Sequence, residues 1–436
     1  MYSIVKYLKR KALDEFDRNC KRVVKDIMNL PRRASPEVVF IPSHRGGANI
    51  PPLSDLADVG STVRAFKMLT CPDPVVREVA EASLRHVVAP VLEQKQPTQD
   101  QLCTYLFGEA TSKYSRGTTI WSAARSAARR LAAKIPGLQW LWSEEKLWSL
   151  SIPMPERAPN RTIVDQASRG DLHHYLRLGQ QHKYFLQLLA KPDQGKVFDA
   201  SSLDPASNHF MQSGMFTRFC DWNFVHRARL GVLPLRACVR VANIDRRCRV
   251  CRYPEETTAH VLCHCMRHSR AMNNRHRVVI KHLVSCMSDT SKLRIGKTVS
   301  GTNSREKPDL VLLDKEKKQA AIIDVACPFE NRYEALVTKR EEKIHKYSPL
   351  ADVLRADGYK VDVEAVVVGA LGSWDGSNER ALALLGIPAK KAKTMKKIIA
   401  LELITWSRDI YVEHVSRARQ LYEEDVVICL DTVASH

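Results

Sequence analysis

The chain has 436 residues, with 68 Lys and Arg against 48 Asp and Glu, a formal charge of +20 and a pI near 9.5. That length exceeds what a single hydrophobic core usually serves, so two or three domains are expected. The positive excess points to a polyanionic partner, nucleic acid before membrane, because no basic amphipathic anchor stands out.

No run approaches the roughly eighteen apolar residues of a transmembrane helix, and the opening "MYSIVKYLKRKALDEF" lacks a hydrophobic signal core. A reducing, intracellular compartment is the expectation. Twelve dispersed cysteines then favour metal ligation over disulfides wherever they cluster.

Helical spacing runs from about Tyr2 to Leu30 and stops at Pro31. "PEVVFIP" reads as a strand and "SHRGGANIPPL" as a Gly/Pro loop. Helices resume in "LADVGSTVRAFKML" and "DPVVREVAEASLRHVV", where Asp73 can cap and Pro74 can open the helix. From about Thr111 to Leu150, "WSAARSAARRLAAKI" and "LQWLWSEEKLWSL" read as helices mixing basic and aromatic residues, with the tryptophans assigned to core packing rather than base stacking. The Pro-rich "SIPMPERAPNRT", Ser151 to Thr162, is the expected linker. Beyond it, "QASRGDLHHYLRLGQQHKYFLQLL" and "FTRFCDWNFVHRARLGVLPLRA" add helices. No repeat at solenoid periods and no long low-complexity tract is visible.

"RRCRVCRYPEETTAHVLCHCMRHS" holds Cys248 and Cys251, then His260 and Cys265. Two cysteines separated by two residues can present both thiolates to one ion from a tight turn, and a later His and Cys can complete a tetrahedron. Thiolate and imidazole ligands select zinc over magnesium or calcium. Cys263, His264 and His268 crowd the same stretch, and a site made with His260 and His264 is a second possibility. Four protein ligands close the site, which favours a structural or docking role over catalysis. The arginines of "RVANIDRRCRVCR" suit phosphate contact.

In "KPDLVLLDKEKKQAAIIDVACPFE", two apolar runs flank a charged turn and read as a hairpin. Asp309 opens the first run and Asp324 lies inside the second, where a carboxylate is costly without a charged partner. A divalent cation such as Mg²⁺ would answer that cost and would also activate water toward a phosphodiester. "NRYEALVTKREEKIHKYSPLADVL" reads as a helix ending before Pro349, with Lys339, Lys343 and Lys346 on one face, either solvated or aimed at the metal site. His276 lies on the helix "MNNRHRVVIKHL". "DVEAVVVGALGSWDG" supplies a third buried strand, and "KKAKTMKKIIALELITWSRDIYVEHVSRA" a closing helix with a basic head.

This order of motifs, a Cys-Cys-His-Cys knuckle, "RH" on a helix, "KPDLVLL", "IDVACPFE" and "EKIHKY", resembles the C-terminal end of site-specific non-LTR (type-1) retrotransposon polyproteins. The resemblance implies zinc on Cys248, Cys251, His260 and Cys265. It also implies a restriction-like endonuclease of the PD-(D/E)xK type, with Mg²⁺ or Mn²⁺ on Asp309 and Asp324. Asp324 is followed by Val325 and Ala326, so the D/E-x-K tripeptide is absent. The resemblance moves the lysine to the next helix, as Lys343 with Lys346 and Tyr347 beside it. Arg246, Arg247, Arg249, Arg275 and His276 are the candidates for nucleic-acid contact. "LPRRASPEVVF" and "GGANIPPL" resemble a reverse-transcriptase thumb, while an F/Y-x-D-D box and a palm segment are missing.

The expected class is therefore α+β and multidomain. A mainly helical front comprises a thumb-like region (1–150) and a helical linker (151–240). A zinc knuckle (241–275), an α/β endonuclease-like core (276–375) and basic C-terminal helices (376–436) follow. The expected activity is nicking of double-stranded target DNA for target-primed reverse transcription, in the nucleus, with element RNA as a second partner and no membrane. The competing expectation is a repurposed DNA- or RNA-binding module that cuts nothing.

Overall fold

The computed structural model describes residues 10–109, 118–143, 147–154, 160–239, 243–299, 302, 304–418 and 420. The fold is mixed α+β, and among the described residues helix predominates over two sheets of three and four strands. Among the described residues no helix is long and apolar enough to cross a membrane. The chain forms two compact units, one taking the chain up to Val24 with Val39–Ile41 and Asn49–Gln187, the other taking Lys25–Val38, Pro42–Ala48 and everything from Leu188.

The first unit carries α1 (Arg10–Ile27) up to Val24, α3 (Leu53–Leu69), α4 (Pro74–Leu92), α5 (Gln99–Phe107), α6 (Ile120–Ala132) and α7 (Leu172–Leu189) up to Gln187. "PEVVFIP" yields the short helix α2 (Glu37–Phe40) rather than a strand. Asp73 caps α4 through the Val75 and Val76 amides, with Pro74 at its first position, as expected. Asp58, buried, takes Arg130 at 2.6 Å and Arg10 at 2.9 Å. Residues 110–117 lie outside the described set.

"LQWLWSEEKLWSL" is not helical. It forms strands β1 (Gln139–Trp142) and β2 (Trp148–Pro153), and β3 (Arg161–Val164) completes an antiparallel sheet. Trp142 pairs with Trp148 across the ladder, and Trp140 meets Trp148 edge-on with ring centroids 6.3 Å apart. Cross-strand aromatic packing of this kind outweighs local helix preference. The described part of the expected linker is thus sheet, and the boundary between units falls after Gln187.

The second unit contains α8 (Lys196–Ser201), α9 (Phe219–Arg229), α10 (Ser269–Cys286), β4 (Leu293–Ile295), β5 (Leu310–Asp314), β6 (Gln319–Ala326), α11 (Tyr333–Ala356), β7 (Lys360–Val367), α12 (Asn378–Leu384) and α13 (Ala389–Ser416). Its sheet runs β4-β5-β6-β7, antiparallel except for β6 and β7, which are parallel and joined by α11. β6 is buried along nearly all its length, as a strand covered on both faces must be.

α11 continues seven residues past Pro349 instead of ending before it. The proline removes one backbone hydrogen bond, but buried Leu350, Ala351 and Leu354 pack beyond it and hold the last turns in place. Glu330, fully buried after β6, accepts from the Leu371 amide at 2.7 Å. Gly369 permits this, because a Cβ there would lie 2.1 Å from the Glu330 Oε1.

Candidate active site and metal-binding knuckle

The β5/β6 register pairs Leu310 with Ile323, so Asp309, one residue earlier, stands opposite Asp324. Residues directly opposite in an antiparallel pair share a face, which is why the two aspartates meet. The Asp309 amide donates to Asp324 Oδ1 at 3.3 Å, and Asp309 Oδ2 accepts from the Val325 amide at 2.7 Å.

Each carboxylate also has a cationic neighbour. Lys343 Nζ, from α11, lies 2.6 Å from Asp324 Oδ2. His276 Nε2, from α10, lies 3.0 Å from Asp309 Oδ2 and 3.1 Å from the Val325 carbonyl oxygen. Burial works to depress the His276 pKa, but the hydrogen bond and charge of Asp309 outweigh it and raise the pKa. Asp309 is held below the usual carboxylate range for the reciprocal reason, its own burial being overcome by His276 and the Val325 amide. His276, expected on nucleic acid, thus belongs to the carboxylate pair. Only the folded chain reveals that, since 33 residues separate it from Asp309.

Of the three lysines on the α11 face, one reaches the aspartates. Lys346 bonds Glu306 at 3.1 Å and the Tyr347 hydroxyl at 3.1 Å, and Lys339 bonds Glu342 at 2.6 Å. Tyr347 is buried, and its phenol is held neutral by that burial and by the charge of Asp324.

A cleft of about 1400 Å³ opens beside this cluster, walled by His276, Val325 and Lys343. Arg33, Lys191, Lys196, Arg246 and Lys339 also line it, against the acids Asp193 and Glu255.

The knuckle assembles as the spacing anticipated. One ligand atom each from Cys248, Cys251, His260 and Cys265 lies within 4.8 Å of the others, an arrangement able to hold a metal such as zinc. Arg252 adopts a left-handed φ of 64°, closing the turn so that its amide meets the Cys248 carbonyl at 3.0 Å and the Cys251 amide meets Cys248 Sγ at 3.4 Å.

Burial and the negative charge of Cys248 push the Cys265 thiol up to about 12. Three sulfurs this close ionise together only around a cation, so the donor set fits zinc. Burial keeps His260 in its neutral, ligating form. Cys263 and His264 instead line the cleft, and His268 pairs with His414 of α13 at 3.0 Å, so Cys265 is the residue that joins Cys248, Cys251 and His260 in the four-membered group.

Behind these four residues, His414 Nε2 meets Glu256 Oε1 at 3.0 Å, and Arg249 also binds Glu256 at 2.8 Å. No local pattern marks this buried backing, because His414 lies 158 residues beyond Glu256.

The arginine expectations divide. Arg246 and Arg247 are exposed, in ion pairs with Glu255 and Asp245. Arg275 is 2% exposed and donates to Ser407 Oγ at 2.8 Å and to Cys263 Sγ at 3.6 Å. Its helix face turns onto α13, so it is unavailable to phosphate and ties the core together instead.

No family model matches the chain. An uncharacterized protein of Caenorhabditis elegans is 24% identical over 221 residues, covering 49% of this chain and 62% of that protein. The chain therefore spans less than two thirds of that relative's length.

Proposed function

We propose that the chain is a divalent-metal-dependent DNA-nicking endonuclease with an attached zinc knuckle, of the kind carried at the C-terminal end of non-LTR retrotransposon polyproteins. One observation carries the reading. Two aspartates stand opposite each other at one end of a strand pair, with Lys343 on one and His276 on the other, and these two cationic partners line a basic cleft.

The remaining carboxylate oxygens and the Val325 carbonyl offer the hard oxygen ligands that Mg²⁺ or Mn²⁺ takes. The metal would supply a Lewis acid for the phosphodiester. Asp309 and Asp324 would hold it, Lys343 would stabilise charge on the reacting phosphate, and His276 would fix the orientation of Asp309. The cleft bases would hold the DNA backbone by sequence-independent contacts.

A second reading has its own support. Because Lys343 and His276 already answer both carboxylates, the cluster is stable without a metal, and the chain would then bind nucleic acid without cutting it. The test is nicking of supercoiled plasmid in Mg²⁺ or Mn²⁺, beside an Asp309→Ala and Asp324→Ala double variant. Metal-dependent nicking lost in the variant supports the nuclease. Intact DNA binding by both proteins without nicking supports the binding module.

A further inference from the structure

The knuckle carries an aromatic side chain that neither the metal site nor the cleft uses. Tyr253, 55% exposed, stacks on the metal-facing His260 with ring centroids 4.5 Å apart and planes 5° from parallel. One face of the phenol is covered by the imidazole and the other opens to solvent. The Cys248 amide donates to the Tyr253 carbonyl at 2.8 Å, so the backbone of the ring is pinned by the same turn that presents the thiolates. A metal that fixes His260 would therefore also fix Tyr253.

The surrounding charge is unbalanced. Asp245 alone serves three guanidiniums, Arg247 at 3.0 Å, Arg236 at 3.6 Å and Arg252 at 3.8 Å. A rigid aromatic face beside excess guanidinium charge matches a base next to its phosphates. In a duplex both faces of a base are covered by its neighbours, so the geometry selects an unpaired one.

We propose that Tyr253 is a stacking platform for a single-stranded nucleic acid, with Arg247 and Arg252 contacting the flanking phosphates. This extends the nucleic-acid reading of the knuckle given above and does not depend on the nicking.

The test uses the full chain loaded with zinc, without added Mg²⁺ or Mn²⁺, and fluorescein-labelled DNA and RNA single strands beside the blunt duplex. Tyr253→Ala is expected to weaken single-strand binding about 5- to 100-fold, to leave duplex binding unchanged and to be rescued by Tyr253→Phe. The DNA and RNA arms show which strand is preferred. Unchanged single-strand affinity in the alanine variant, or an equal loss on the duplex, overturns the proposal. If that variant loses zinc, Tyr253→Leu replaces it, since leucine still covers His260 but has no π face. Wild-type single-strand affinity in the leucine variant then overturns the proposal, and selective loss upholds it. With no cutting in any arm, a failure here leaves the nicking reading standing, and a failed nicking assay leaves this one standing.

Discussion

Lys343→Met separates the metal-binding reading of the aspartates from a self-contained ion pair. Asp324 is 3% exposed, and its Oδ2 lies 2.6 Å from the ammonium that the variant removes. Stripping one partner from a buried pair costs about 3–5 kcal/mol. The Lys343 side chain retains 24% exposure, which places the expectation at the low end, about 3 kcal/mol. For a unit of this size that lowers the thermal midpoint by roughly 6–12 °C.

Asp324→Asn in the same background removes the uncompensated charge and should recover most of the loss. Mn²⁺ should do the same by taking the place of the ammonium, and it should raise the midpoint of the variant more than that of the parent. Differential scanning fluorimetry of the two single variants and the double variant, with and without Mn²⁺, reads all of this. A midpoint for Lys343→Met equal to the parent's would refute the burial argument. A variant destabilised as expected but indifferent to Mn²⁺ would refute the metal site.

Cys265→Ser should release zinc and unfold the knuckle, because structural zinc contributes on the order of 10 kcal/mol, whereas His264→Asn should keep one zinc per chain; metal analysis after dialysis checks both. Acid should weaken the second unit. Burial, with the Arg229 charge beside it, lowers the His226 pKa to about 3. Below about pH 6.5 the unfolded chain therefore binds a proton that the folded chain refuses, and this one histidine contributes a loss of stability of about 1.4 kcal/mol per pH unit as the pH drops toward 3. His226 packs edge-on against Trp222 at 4.4 Å, so His226→Phe should keep the packing and lower the slope of stability with pH by about that one-proton share in urea titrations between pH 6.5 and 4. An unchanged slope would count against the assignment. Arg246→Ala should lower the salt dependence of DNA binding by about one counterion, while Arg275→Leu should leave it unchanged and reduce stability.

Local order in the chain carried a good deal of this architecture. The Asp73–Pro74 start of α4, the strand periods around Asp309 and Asp324, and the Cys–Cys–His–Cys spacing all concern groups a few residues apart or in strands joined by a short turn. At such separations propensity and hydrogen-bond geometry decide the outcome. Where local and distant forces disagreed, the distant ones prevailed. The tryptophans of "LQWLW" became strands because a partner strand offered aromatic contacts, and α11 passed through Pro349 because buried leucines waited beyond it.

Function-bearing partners were less legible still. That His276 meets Asp309, that Arg275 turns inward, and that His414 and Glu256 back the Cys/His cluster follow from the packing of α10 and α13, elements far apart in the chain. The sequence by itself determined which residues can ligate, stack or pair. Tertiary structure decided which of them meet, because burial and cross-chain contact set the charge and accessibility of a side chain, and neither is written in its neighbours along the chain.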